Sequence, residues 1–242
     1  MDTTLPPMTE TGETLARDGY AFVPAGQMRT VLTRVGPLTD WAQFAASWNG
    51  LETDTYMADG GRYRRRRHAV YAAGRDGVIK RGPHQAHYQG RNYNHLNGGV
   101  ARWFEPILPE IGCGQSMRTI LEYCQGLFSQ LAPATNAWHI ETHQFRIEAR
   151  LGQEGRPTPE GMHRDGVDYV LVLMINRHNI ASGTTTIHDL DKRTLGSFTL
   201  AAPLDAALVD DARCYHGVTP VEPQDPSHPA YRDVLVVTFR KA

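Results

Sequence analysis

The spacing of apolar positions divides the chain into a helical half and a strand half. Residues 1–12 are polar with two prolines and read as a loose tail. Glu13–Asp18 predicts a short helix ended by Gly19, and Tyr20–Val23 a strand stopped at Pro24. Residues 27–35 predict a second helix, broken at Gly36-Pro37. Asp40 is placed to cap the next one, in which Trp41, Phe44 and Trp48 fall at i, i+3 and i+7, the pattern of a buried stripe. Val100–Ile111 and Ser116–Leu131 predict two further helices. The second carries Ile120, Leu121, Cys124, Leu127, Phe128 and Leu131 on its apolar side, with Ser116 as N-cap and Pro133 as stop.

Beyond Pro133 the period changes to two. Residues 136–151 alternate, and Val167–Ile175 is a continuous apolar run that predicts a strand buried on both faces. Residues 182–189, 194–200, 205–210, 213–218 and 231–240 follow as short strands separated by turn residues. Helices followed by strands without crossover helices predict a mainly β, α+β protein: an antiparallel jelly roll backed by N-terminal helices. We expect one domain over 1–242, with the loose tail at 1–12, helical support and substrate-covering loops over 13–132, and the jelly-roll core over 133–242.

Charge and cysteine content narrow the setting. With 25 Lys+Arg against 26 Asp+Glu, nothing in the overall balance draws the protein to nucleic acid or to an anionic membrane. Cys113, Cys124 and Cys214 are widely spaced, without a CxxC pair, which suits reduced thiols instead of a disulfide framework or a zinc-thiolate site. The first twenty residues lack a basic segment followed by an apolar one, and no uncharged apolar run approaches the roughly 18 residues of a membrane span. A cytoplasmic protein acting on a small molecule is expected, with a homodimer left open and without nucleic-acid or membrane partners.

The candidate chemistry centres on Gly161-Met-His163-Arg-Asp165-Gly166 and, later, Cys214-Tyr-His216. On a strand, residues i and i+2 share a face, so His163 and Asp165 would point inward with Arg164 outside, and His216 would reach them from a late strand. Two imidazoles and a carboxylate fill one face of a metal and leave the other open, as in non-heme Fe(II) oxygenases. Other patterns compete. His139-x-Glu141-x-His143 offers three ligands on one strand face, and His84 and His87 lie in the His- and Gly-rich stretch 82–99, where Pro83 and the glycines oppose a helix. The run Arg62–His68 reads as an exposed strand whose arginines pair with nearby acids. Its alternatives are a nucleic-acid contact or one inward arginine binding a carboxylate substrate. Arg232 and Arg240 share a face of the last strand roughly 27 Å apart, so only one of them can serve a given site. Gln144 and Arg146 share a face of the strand before the triad, and Asp210 and Asp211 read as turn residues.

Four segments in order, His143–Arg150, Gly161–Asp189, Leu208–Pro223 and Ala230–Lys241, together resemble the bacterial 2OG-Fe dioxygenase family, which includes the L-isoleucine 4-hydroxylases and the BsmA-like biofilm, stress and motility proteins. The likeness is close over about the last 100 residues and weaker at Tyr93-Asn-His-Leu-Asn97; the Arg62–Arg67 run and the 82–95 loop depart from it. The resemblance implies a double-stranded β-helix, the cupin-like jelly roll. It implies Fe(II) bound by His163, Asp165 and His216, with 2-oxoglutarate and O2 as co-substrates and succinate and CO2 as products. It places Arg232 on the distal carboxylate of 2-oxoglutarate and Gln144 and Arg146 beside the substrate. The implied reaction is hydroxylation of a small substrate, a free aliphatic L-amino acid. A non-catalytic or regulatory member of the same fold, acting in stress or biofilm behaviour, and a cupin-like isomerase or zinc protein are the alternatives.

Overall fold

The computed structural model describes residues 8–242, so the first seven residues of the expected tail lie outside the described residues. The helices are α1 (Glu10–Asp18), α2 (Ala25–Val35), α3 (Trp41–Ala46, continued by a 3₁₀ turn Ser47–Gly50), α4 (Pro109–Gly112) and α5 (Gln115–Leu131). The strands are β1 (Tyr20–Val23), β2 (Glu52–Thr53), β3 (Arg64–Gly74), β4 (Ile79–Arg81), β5 (Ala137–Ala149), β6 (Tyr169–His178), β7 (Ile180–Ser182), β8 (Thr184–His188), β9 (Thr194–Thr199), β10 (Ala206–Asp210), β11 (Tyr215–Val218), β12 (Val221–Pro223) and β13 (Ala230–Lys241).

The large sheet runs β1-β10-β6-β13-β5-β3-β2, with β4 on β3. Smaller sheets pair β11-β8-β9 and β12-β7. The named strand pairs are antiparallel. The central strands of the large sheet alternate between two faces. Trp138 and Ile140 of β5, Leu171, Leu173 and Ile175 of β6, and Leu235, Val237 and Phe239 of β13 pack against Leu15, Met28, Leu32, Phe44, Trp48, Ile120 and Phe128 of the helical layer. The other face sends Val170 of β6 and Val209 of β10 against Ile187 of β8, and Met174 and Val234 against Leu200. This is the predicted jelly roll backed by helices, and both its long central strands are apolar on both faces because both are covered.

Several expectations change. The first helix begins at Glu10, inside the expected tail, with Thr9 accepting the Gly12 amide as its N-cap. Val100–Ile111 is not a helix beyond Pro109–Gly112. Pro106 and Pro109 lack amide protons, and the segment instead pairs along the sheet edge, Arg102 with His87 and Pro106 with His68. Asp40 stands at the N-cap of α3 without capping it; its carboxylate instead accepts the amide and hydroxyl of Ser116 and so caps α5, whose own N-cap is Gly114. The Arg62–His68 run is not an exposed strand: Arg64 and Arg66 are buried on β3.

Candidate metal centre and its cavity

The face of the large sheet opposite the helices is not filled along its whole length. Beyond the apolar contacts with β8 and β9 lies a cavity of ≈ 480 Å³. Its walls come from the odd residues of β5 (His139, Glu141, His143, Phe145), the even residues of β13 (Arg232 to Arg240), Arg64 and Arg66 of β3, the stretch Gln85–Asn94 and the loop before β6.

His163, Asp165 and His216 converge on this cavity. His163 and Asp165 sit on the loop preceding β6 and not on a regular strand, which corrects the sequence expectation. One residue of that loop still pairs as a strand would. His163 donates its amide to the His216 carbonyl and accepts the His216 amide in return, both at 2.9 Å. The two rings stand 4.5 Å apart between centroids. Nε2 of His163 lies 3.5 Å from one Asp165 oxygen, and Nε2 of His216 lies 3.6 Å from the other. Those separations suit ligand atoms each about 2.1 Å from one ion. Nδ1 of His163 donates to the Gly161 carbonyl at 3.0 Å, so that once the ring is neutral its lone pair is on Nε2, where a metal would need it. Arg164 points away from the cavity and stacks over Tyr93 and Tyr215.

The loop is held from beneath by Asp211, which accepts the amides of Asp165 and Gly166 at 2.8 Å and of Val167 at 3.1 Å. Burial and the charge of Asp165 push the Asp211 carboxyl up to about 7. Gly166 has φ 81°, and a Cβ there would stand 2.6 Å from the Tyr93 ring, so only glycine lets the loop pass under that side chain. Gln89 ties the other side, donating to the Asp165 carbonyl at 3.1 Å.

The three ligand candidates titrate apart. Burial opposes ionised Asp165, but the His163 contact and both imidazoles outweigh it and hold its carboxyl well below the usual range. Burial would lower His163, yet Asp165 and Glu160 raise it to about 9, whereas burial and the His163 charge push His216 down to about 4. One proton thus sits between two rings and a carboxylate, the place that a divalent cation would take.

Arg232 lies 2 % exposed on β13, at the β12 end of the cavity. Its Nε has no hydrogen-bond partner, and no carboxylate lies within ion-pair distance of it among the described residues. Burial and nearby Arg177 lower its pKa to about 10. A buried cation without an anion is costly, so Arg232 offers a place where an anionic ligand group would be stabilised. Arg240 lines the same cavity from the exposed far end of the strand.

Gln144 and Arg146 lie on the opposite face of β5 from the cavity. Gln144 donates to the Ser47 hydroxyl at 2.8 Å, and Arg146 grips buried Asp233 with two bonds of 2.7 Å. The face that does line the cavity carries His139, Glu141 and His143. Glu141 accepts from His87 Nδ1 (2.6 Å), His68 Nε2 (3.0 Å) and His139 Nε2 (3.1 Å), and His143 Nε2 stands 3.6 Å away. His68, His87, Glu141 and His143 are close enough to hold a metal. However, Arg66 Nη2 lies 2.8 Å from His143 Nδ1, and a guanidinium can only donate. His143 therefore carries its proton on Nε2, facing Glu141, as a donor and not a ligand. The group is a half-buried carboxylate ringed by N–H donors.

The matches to known proteins follow this geometry. The family model described as 2OG-Fe dioxygenase matches residues 45–238. The 3(1)-hydroxy-L-isoleucine 4-dioxygenase of Pantoea ananatis is 27% identical over 97% of this chain and 96% of its own. The L-isoleucine-4-hydroxylase of Bacillus thuringiensis is 27% identical over 63% of this chain and 64% of its own. Among solved structures, a bsmA homolog from Methylobium petroleophilum PM1 is 37% identical, with a TM-score of 0.87 over 96% of this chain and 92% of that one. The family implies Fe(II), 2-oxoglutarate and O2, and the converging imidazoles and carboxylate with the unpaired Arg232 fit the first two. The chain therefore belongs to the 2OG-Fe dioxygenase family and is a 2-oxoglutarate-dependent dioxygenase.

Proposed function

We propose that the protein hydroxylates a free aliphatic L-amino acid, with Fe(II) held by His163, Asp165 and His216 and the distal carboxylate of 2-oxoglutarate held by Arg232. The observation that carries this reading is the meeting, in one cavity, of a three-ligand cluster and a buried cation that lacks an anion. The substrate class rests on the relatives named above, whose names specify L-isoleucine and a hydroxylated L-isoleucine.

When bound, iron with 2-oxoglutarate and O2 supplies the oxidising power, yielding succinate and CO2. The protein's part is placement. Asp211 holds the loop so that His163 and Asp165 keep one orientation. The Gly161 carbonyl fixes the His163 tautomer. Arg232 sets the direction of the co-substrate through a bidentate, permanently charged grip. The apolar side chains Val172, Val218, Val234 and Val236 line the wall and limit water around the reacting atoms. Carboxylate ligation by Asp165 leaves an overall positive metal site, which suits an anionic chelating co-substrate.

The test is a panel of free L-amino acids incubated with enzyme, Fe(II), 2-oxoglutarate and O2, read by mass spectrometry. The expected result is a gain of one oxygen on an aliphatic member with equal succinate. Succinate formed without oxygen transfer to any amino acid would contradict the substrate class.

A further inference from the structure

Two buried charges in the cavity are left over once the site above is assembled. Arg64 is answered by Asp54 at 2.7 Å. Arg66 is committed to His143 and sandwiched between Phe104 and Phe145, with Cζ 3.6 and 4.4 Å from the ring centroids. Arg102 is 2 % exposed and has no carboxylate within ion-pair distance among the described residues. Its Nε has no partner, and among the described residues its guanidinium makes one polar contact, a 3.5 Å approach of Nη2 to Gln89. Glu160, on the loop before the triad, has a side chain 8% exposed. Its Oε2 has no partner, and its Oε1 lies 3.4 Å from Nε2 of His163. A metal on that nitrogen would leave His163 unable to donate to Glu160.

Arg102 and Glu160 line the same cavity and are too far apart to pair directly. A buried charge needs a partner. One cation and one anion that do not meet are satisfied together by a ligand that carries both signs. We propose that Arg102 binds the α-carboxylate of the substrate and Glu160 its α-ammonium, so that the two form a clamp for a zwitterion. This rests on the amino-acid reading above and assigns it to particular residues. It also explains why neither Arg64 nor Arg66, the inward members of the basic run, takes that role: both are already occupied. Because Glu160 touches triad residue His163, an ammonium held there brings its neighbouring carbons to the metal-facing wall.

The test uses L-isoleucine with two half-ligands: 2-methylbutylamine, which lacks the carboxylate, and 3-methylpentanoic acid, which lacks the ammonium. Binding is read anaerobically as the change each causes in the visible band of the Fe(II)–2-oxoglutarate enzyme, a readout independent of turnover. Wild type is expected to bind the amino acid about 100-fold more tightly than either half-ligand. Arg102→Met is expected to weaken L-isoleucine about 100-fold, to leave 2-methylbutylamine unchanged, and to leave 2-oxoglutarate affinity unchanged. Glu160→Gln is expected to do the converse, weakening L-isoleucine and sparing 3-methylpentanoic acid. Arg102→Lys keeps the charge without the fork and is expected to fall between, which guards against a folding defect in the methionine variant. Variants that bind L-isoleucine like wild type would overturn the clamp alone, as would a loss of 2-oxoglutarate affinity in Arg102→Met. A wild type that binds no free L-amino acid of the full panel would overturn the amino-acid reading, and the clamp with it.

Discussion

His163 and His216 exchange both of their backbone hydrogen bonds, each amide to the other's carbonyl at 2.9 Å, although they lie 53 positions apart in sequence and no regular strand contains the first. The pair joins the loop before β6 to β11. It fixes the two imidazoles relative to each other before any ion arrives, so the cost of ordering them is met by the fold and not by the metal.

Asp165, the third proposed ligand, depends on Asp211, whose carboxylate accepts three amides of its loop. Asp211→Asn keeps one acceptor oxygen and turns an amide group toward backbone donors. The protein should lose about 2 kcal/mol of stability by urea denaturation and about 10- to 100-fold in Fe(II) affinity, the usual cost of disturbing a ligand's support. Unchanged metal affinity would show that the loop does not need this carboxylate.

Arg232→Met should move stability and affinity in opposite directions. Removing a buried cation without a partner should stabilise the ligand-free protein by about 2 kcal/mol, while 2-oxoglutarate affinity falls about 100-fold or more. Thermal melts with and without 2-oxoglutarate check both, because the ligand-induced rise seen in wild type should vanish.

Arg146 should behave as a structural residue. Arg146→Ala leaves Asp233, 1% exposed, without its partner, which should cost about 3 kcal/mol. The KM values for 2-oxoglutarate and substrate should stay within about twofold in protein that remains folded, since a residue outside the cavity makes no contact with either.

Acid should weaken the fold through the ring around Glu141. The unfolded chain protonates an ordinary imidazole near 6.5, whereas burial lowers His87 to about 4 despite its bond to Glu141. Stability is therefore full above pH 6.5 and is lost as pH falls through the window down to 4. For this one group the loss between pH 7 and pH 5 is about 2 kcal/mol. His87→Asn should flatten the fall by close to one proton in denaturation curves across that range; an unaltered slope would mean His87 titrates normally.

Much of the core was legible because covering both faces of a strand leaves a strong signal. The apolar run at Val170–Ile175 and the matching run at Val234–Phe239 mark adjacent strands of the large sheet. The triad pattern was legible from residue types and order. The face of β5 was not: Gln144 and Arg146 were expected beside the substrate, but alternation alone does not say which face looks at a cavity, and His139, Glu141 and His143 occupy it. Arg102 was hidden in a segment whose apolar spacing imitates a helix and whose prolines force an extended course. Glu160 carried no pattern, and only its unpartnered oxygen beside His163 marks it. Asp40 was recognisable as a cap, but the helix it caps lies 76 positions away.

The most direct test of the central claim is anaerobic addition of Fe(II) and then 2-oxoglutarate to wild type, Asp165→Ala and His216→Ala, followed by visible absorption. The triad assignment predicts a charge-transfer band in wild type that saturates at one iron per chain and is absent from both variants. A band of wild-type intensity in either variant would contradict the triad assignment and place the iron elsewhere.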